Sequence, residues 1–231
     1  MSVTLAKNAG FCFGVSRAVE TVEKEATEGK KVVTLGPIIH NRHVVGKFAT
    51  LGVGVIETPE EAPAGATVII RSHGVSRAVY ERLEKQDVQI VDATCPFVKR
   101  IHTIVSRAEE EGRIPVIIGT PTHPEVEGIA GWCKDPRVFE DVSALKKWAE
   151  DAAIAEDSPI CMVSQTTSTE SLWKLCGNFA KKQFTNLKIF DTICRATEYR
   201  QSEAAELSKS CEVMVVVGDP KSSNTGRLAM I

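Results

Sequence analysis

VQIVDATCPFVKRIHTIVSRAEEEGRIPVII (residues 88–118) reads as a strand, a helix and a second strand in succession. Val88 to Val91 reads as a short strand and Ile114 to Ile118 as a continuously apolar one, as expected for a parallel strand covered on both faces. Between them Val98, Ile101, Ile104, Val105 and Ala108 fall on one helical stripe, which Gly112 ends. The alternation continues in both directions. Val32–Leu35, Thr67–Ile70, Ile160–Val163 and Val213–Val217 read as further strands, and Val15, Ala18, Val19 and Val22 make a second stripe ended by Gly29. The expectation is an α/β chain with right-handed crossovers.

Cys95 stands where that first strand gives way to its helix, and its setting recurs. Ile90-Val91-Asp92-Ala93-Thr94-Cys95 is matched by Ile189-Phe190-Asp191-Thr192-Ile193-Cys194: an apolar pair, Asp, two residues, Cys, then a helix-like stretch. Cys12, within Gly10-Phe11-Cys12-Phe13-Gly14-Val15, also precedes a helical stripe. Unpaired N–H groups and the positive dipole end at a helix start favour thiolate. Three thiolates at one point make a soft-metal site with an open position. Zinc sites usually show a close Cys-x-x-Cys pair, which is absent, and a cysteine nucleophile needs one thiol. A three-thiolate iron–sulfur cluster uses all three. Their spacings of 83 and 99 residues suggest lobes of about that size. Gly-Val-Ser-Arg-Ala-Val occurs at 14–19 and again at 74–79, each copy expected to open a helix. Cys133, Cys161, Cys176 and Cys211 read as ordinary buried or half-buried thiols.

Composition removes several classes. Net charge is -2 without a basic run, and aromatics are 6%, so no nucleic-acid partner is indicated. No apolar stretch approaches a membrane span and no signal-peptide pattern opens the chain, so a cytoplasmic protein with no membrane partner is expected. An odd count of 7 cysteines fits a reducing compartment.

Open α/β sheets bind ligands beyond the carboxyl ends of their strands. There the sequence places His40 with Asn41, His73, Thr120 with His123, Ser164 to Thr167, and the turn Lys221-Ser222-Ser223-Asn224. This donor-rich rim suits an oxyanion such as a diphosphate. Ser, Thr and Asn at such positions are also ordinary helix caps. His43 and His102 lack the placement and read as structural or surface residues. Glu125, two residues after His123, reads either as a first-turn helix residue or as a general acid whose pKa a bound phosphate would raise.

Taken in order, Gly10–Val15, Asp92–Pro96, His123–Val126, Gln165-Thr166-Thr167 and Ser222-Ser223-Asn224 resemble the 4-hydroxy-3-methylbut-2-enyl diphosphate reductase family, from residue 3 to residue 230. The resemblance implies a three-lobed cloverleaf of pseudo-threefold related parallel-sheet α/β units around a central cluster. Here the lobes would be 13–95, 96–192 and 193–231, the last completed in part by 1–12. It implies one [4Fe-4S] cluster held by Cys12, Cys95 and Cys194. His40, His73, His123, Ser222, Ser223 and Asn224 would hold the diphosphate, Glu125 would donate a proton, and Thr166 would position and relay it. The implied reaction converts (E)-4-hydroxy-3-methylbut-2-enyl diphosphate to isopentenyl and dimethylallyl diphosphate with loss of water, the last step of the non-mevalonate isoprenoid pathway. Electrons would come from a ferredoxin, flavodoxin or similar donor, in keeping with the lack of a Gly-x-Gly-x-x-Gly run. A non-catalytic iron–sulfur redox sensor or carrier is the competing reading. Family members continue beyond Asn224 and supply a further serine, so a third lobe cut short, with impaired function, is also expected.

Overall fold

The computed structural model describes residues 3–151 and 154–231. In chain order the elements are α1 (Phe13–Thr27), β1 (Val32–Leu35), α2 (Arg42–Thr50), β2 (Gly54–Ile56), a 3-10 turn (Pro59–Glu61), β3 (Ala66–Ile70), α3 (Arg77–Glu84) and β4 (Val88–Asp92). There follow α4 (Pro96–Glu110), β5 (Ile114–Ile118), α5 (Pro124–Ala130), β6 (Arg137–Phe139), α6 (Val142–Asp151), β7 (Ile160–Ser164), α7 (Glu170–Gln183), β8 (Leu187–Ile189), α8 (Arg195–Ser208) and α9 (Ser223–Leu228). The chain divides into two compact units. The first holds residues 1–72, 79–95 and 195–231, the second residues 73–78 and 96–194.

Each unit contains one four-stranded parallel sheet, and the two are wound identically, β2-β1-β3-β4 and β6-β5-β7-β8. The strand–helix–strand of residues 88–118 therefore does not stay in one sheet. β4 closes the edge of the first, and β5 starts the second.

The parallel sheets explain the apolar runs. In β5, alternate side chains point to opposite faces. Ile117 packs with Ile101, Val105, Val126, Ile129 and Val163, while Val116 and Ile118 pack with Met162, Leu145, Trp173 and Ala180. In the first unit Ala18 and Val22 of α1 cover Val32, Phe48 and Ile69. Fully burying each large aliphatic side chain contributes about 1.5–3 kcal/mol, so these central strands anchor their loops firmly. Both helical stripes end as expected, since Gly29 and Gly112 take φ of +70° and +67°.

Two expectations are corrected, and three short strands are added. Val213–Val217 is not a strand: it lies in irregular backbone, with Val213, Val215 and Val217 exposed by 77, 80 and 90%. β-branched residues favour extended backbone, but a strand needs a ladder partner, and among the described residues none pairs with this run. Conversely β2, β6 and β8, three residues each, went unread because their sheet character comes from the neighbour they pair with. The repeated hexapeptide adopts two structures. Residues 14–19 lie inside α1, whereas Gly74 takes φ of +75° and the helix begins only at Arg77. Among the described residues no helix is long and apolar enough to cross a membrane.

Candidate active site

Cys95 and Cys194 occupy the same place in their two sheets, directly after the strand on one edge. Asp92 Oδ1 accepts from Thr94 N at 2.8 Å, and Asp191 Oδ1 accepts from Ile193 N at 3.2 Å. Each Asp thus closes a turn on its own backbone and aims the chain at the cysteine. The cysteine amide then donates to the chain leaving the adjacent central strand: Cys95 N to Ser72 O and Cys194 N to Thr166 O, both at 2.9 Å. The shared Asp-x-x-Cys pattern is one local structure built twice.

Cys12 reaches a comparable position by another route. It is the N-cap of α1, with φ -79° and ψ 167°, yet its side chain makes no capping bond. A serine there would cap; the thiol is left for other chemistry. A Cβ placed on Gly14 would sit 2.6 Å from Cys95 Sγ, so the glycine makes room for that thiol against the first turn of α1. Arg17 adds bonds from Nη1 to Thr94 O at 3.1 Å and from Nη2 to Asp92 O at 3.3 Å, fixing the turn that carries Cys95. The segment ahead of Cys12 is held by α8. Glu203 accepts from the amides of Lys7 and Asn8 at 2.6 and 2.8 Å, and Arg200 donates to Asn8 O and Gly10 O at 3.0 and 2.8 Å. Those amides hold the Glu203 carboxyl below its ordinary value.

The other cysteines divide by burial. Burial, foremost, pushes Cys133 to about 12 and Cys161 and Cys176 to about 11, so these thiols stay protonated. Cys211 is exposed, contrary to expectation, because it follows the end of α8 and meets no core.

Also in the first unit, His40 precedes α2, whose N-cap Asn41 accepts from His43 N and Val44 N. Burial first and the Arg71 guanidinium second lower the proton affinity of His40, while Asp219 opposes them and Lys221 adds to them. The turn of residues 218–222 is tied to this loop, because Asp219 Oδ2 accepts from Arg42 N at 3.1 Å. Ser222 caps α9 through Thr225 N at 3.4 Å, with Ser223 and Asn224 in its first turn. Asn224, Asn41 and Arg42 share a cavity of about 570 Å³. The first unit thus gathers His40 and the Ser222–Asn224 turn. Sequence reading passed over Arg17 and Arg71, whose polar ends are placed by tertiary packing and by no motif.

The second unit gathers the rest. His123 is the N-cap of α5, its Nδ1 accepting from Glu125 N at 3.1 Å, and Pro124 fills the first helical position. An accepting Nδ1 leaves the proton on Nε2, so the ring presents a donor on its other side. The His73 ring meets that of His123 edge to face, centroids 5.6 Å apart. Glu125 and Thr166 are 3 and 6% exposed. Glu125 Oε1 accepts from Thr166 N at 2.6 Å and Oε2 from Thr166 Oγ1 at 2.7 Å. Burial raises the Glu125 pKa, and the two Thr166 bonds offset this only in part. Gln165, fully buried, accepts from Thr120 N at 3.1 Å and donates to Thr167 Oγ1 at 2.9 Å, locking the loop after β7 to that after β5. Thr192 clasps Ser164 by bonds of 2.7 and 2.8 Å. His102, as expected, is structural, buried and stacked on Trp132.

Comparison with known proteins follows the same outline. The family described as LytB protein matches residues 3–231. A 4-hydroxy-3-methylbut-2-enyl diphosphate reductase from Thermoanaerobacter sp. (strain X514) is 43% identical over 235 residues, covering 100% of this chain and 80% of the relative. The protein of that name from Clostridioides difficile (strain 630) is 38% identical over 232 residues, covering 100% and 82%. The solved E-1-hydroxy-2-methyl-but-2-enyl-4-diphosphate reductase from Plasmodium falciparum superposes with a TM-score of 0.90 at 30% identity, over 96% of this chain and 70% of that one. A solved (E)-4-hydroxy-3-methyl-but-2-enyl diphosphate reductase, described as the terminal enzyme of the non-mevalonate pathway, gives 0.75 at 37% identity, over 98% and 80%. The chain belongs to the LytB protein family.

Proposed function

We propose that this chain removes the allylic hydroxyl of (E)-4-hydroxy-3-methylbut-2-enyl diphosphate as water, taking up two electrons and two protons to give isopentenyl and dimethylallyl diphosphate. Family membership supports the activity, and the observation that carries the mechanism is the buried Glu125–Thr166 pair, bonded at 2.6 and 2.7 Å next to the backbone of Cys194. A non-catalytic carrier would leave this pair and the histidines idle.

Cys12, Cys95 and Cys194 fit a three-thiolate iron–sulfur group. None is in a disulfide, all are partly exposed, and Gly14 leaves space at Cys95 Sγ. An iron–sulfur cluster of the [4Fe-4S] type held by these thiolates would supply electrons and Lewis-acid chemistry toward the substrate oxygen. An external donor of ferredoxin or flavodoxin type delivers those electrons.

The remaining chemistry belongs to side chains of the chain itself. His40, His73 and His123, with Ser222, Ser223 and Asn224, hold the diphosphate; His123 does so through the Nε2 proton that its Nδ1 bond dictates. Burial keeps a proton on Glu125 to a higher pH than an exposed carboxyl would hold it. With that proton on Oε2, the carboxyl donates to Thr166 Oγ1, and the threonine hydroxyl donates to the departing oxygen. As the C–O bond breaks, the proton of Oγ1 goes to that oxygen and the proton of Oε2 moves to Oγ1. The 3 and 6% exposure of the pair excludes bulk water from the relay. Thr166→Val keeps the backbone donor but removes the relay, and kcat should drop about 10²-fold or more, with Thr166→Ser near the parent. Equal kcat for Val and Ser would remove Thr166 from the reaction path.

A further inference from the structure

The chain joins the second unit at His73 and leaves it after Ala78. This strap carries a residue assigned to the diphosphate but has no strand to hold it, and its only helical residues are Arg77 and Ala78 at the start of α3. Its anchor is Trp132, just past the end of α5. Trp132 Nε1 donates to Val75 O at 2.8 Å, at the middle of the strap. The Arg77 guanidinium lies over the indole at 5.4 Å from the ring centroid, and its Nη2 donates to Ser106 Oγ at 2.9 Å. Ser106 Oγ donates in turn to Trp132 O at 2.9 Å. His102 of α4 stacks on the indole at 5.1 Å and 15°.

Glycines bring the strap close. A Cβ on Gly131 would lie 2.1 Å from Ser76 Cβ, and one on Gly128 would lie 3.5 Å from His73 O. Arg77 N also donates to Gly131 O at 3.3 Å. The same short helix thus presents His123 at its N-terminus and, through Gly128, Gly131 and Trp132, fixes the strap bearing His73 at its C-terminal side. An indole N–H is a donor that a half-buried backbone carbonyl cannot replace without moving.

We propose that Trp132 is the positioning residue for His73, setting the separation of the His73 and His123 rings and so the grip on the diphosphate. The inference rests on the reading of His73 as a diphosphate-holding group. It is distinct from a mere packing role because Trp132 acts through one histidine.

A double-mutant cycle on the cluster-loaded protein, with the allylic diphosphate and a chemical reductant, tests this. Trp132→Phe keeps a ring for His102 and Arg77 but deletes the donor to Val75 O. It should raise KM about fivefold, with kcat changed far less, since binding that is uniform along the reaction is what would be lost. In a His73→Ala background the same substitution should leave KM within about twofold, as expected of coupled residues. Arg77→Met, at an exposed position, should raise KM in the same direction even if Trp132→Phe folds poorly. An unchanged KM in Trp132→Phe, or an equal rise with and without His73, would overturn the inference while leaving the anchoring role of His73 intact. An unchanged KM in His73→Ala alone would sink that anchoring role, and the inference with it.

Discussion

Glu125, the proposed proton donor, is held in its buried place at a cost in stability. Its carboxyl is buried, and burial raises its pKa against the two bonds from Thr166. Between the ordinary carboxylate value and the raised one, the folded chain holds a proton that the unfolded chain has released. The unfolded state therefore binds fewer protons, and this group's contribution to stability falls as pH rises through that window. Glu125→Gln removes the titration and should lower kcat about 10²-fold or more. Its Tm relative to the parent should rise from pH 5 to pH 8, read by thermal melts at both. A falling difference would mean that the carboxylate form is the one the fold favours. In the parent, kcat should decline as pH rises through the same window, because the deprotonated acid has nothing to donate.

At the scale of elements, the proposed site residues stand at helix starts. Cys12, Cys95 and Cys194 stand before α1, α4 and α8, His123 caps α5, and Ser222 caps α9. Proline at the first helical position follows both Cys95 and His123, its fixed φ and missing N–H suiting the start of a helix. Packing between elements refines this, and Gly14 is where it is tightest. Gly14→Ala suits α1 in propensity, yet its Cβ would meet Cys95 Sγ at 2.6 Å. The expected result is a variant with unchanged or higher helicity by circular dichroism and less iron per chain after anaerobic purification. Full iron retention would show that Cys95 can shift without loss of the cluster.

For the molecule as a whole, each unit holds its own candidate residues beyond the carboxyl ends of a sheet of the same winding. Val213–Val217 remains without a ladder among the described residues, with three valines at least 77% exposed. Such a run invites pairing with another chain. Val215→Lys should therefore reduce self-association in light scattering while leaving Tm within about 2 °C, since an exposed position loses little. Much of this protein was legible beforehand. Apolar runs such as Ile114–Ile118 announced parallel strands, because a strand covered on both faces has no polar side to show. The twin Asp-x-x-Cys segments announced twin strand-to-helix junctions, and in each the Asp closes a turn on its own backbone two residues on. Glycines at 29 and 112 ended their helices for a local reason also. Other features were beyond local reading. β2, β6 and β8 take their structure from partners, Val213–Val217 fails for want of one, and the two copies of one hexapeptide part company at Gly74. Arg17, Gly14 and Trp132 matter through atoms 75 or more, 81 and 57 residues away along the chain. By itself the sequence determined the central strand cores, the α1 and α4 stripes with the glycines that end them, and the reactive residue types, all set by backbone chemistry within a few positions. Only the tertiary structure decided which thiol has room, which carboxyl is dry and what holds His73, because burial and reach are properties of neighbours distant in the chain.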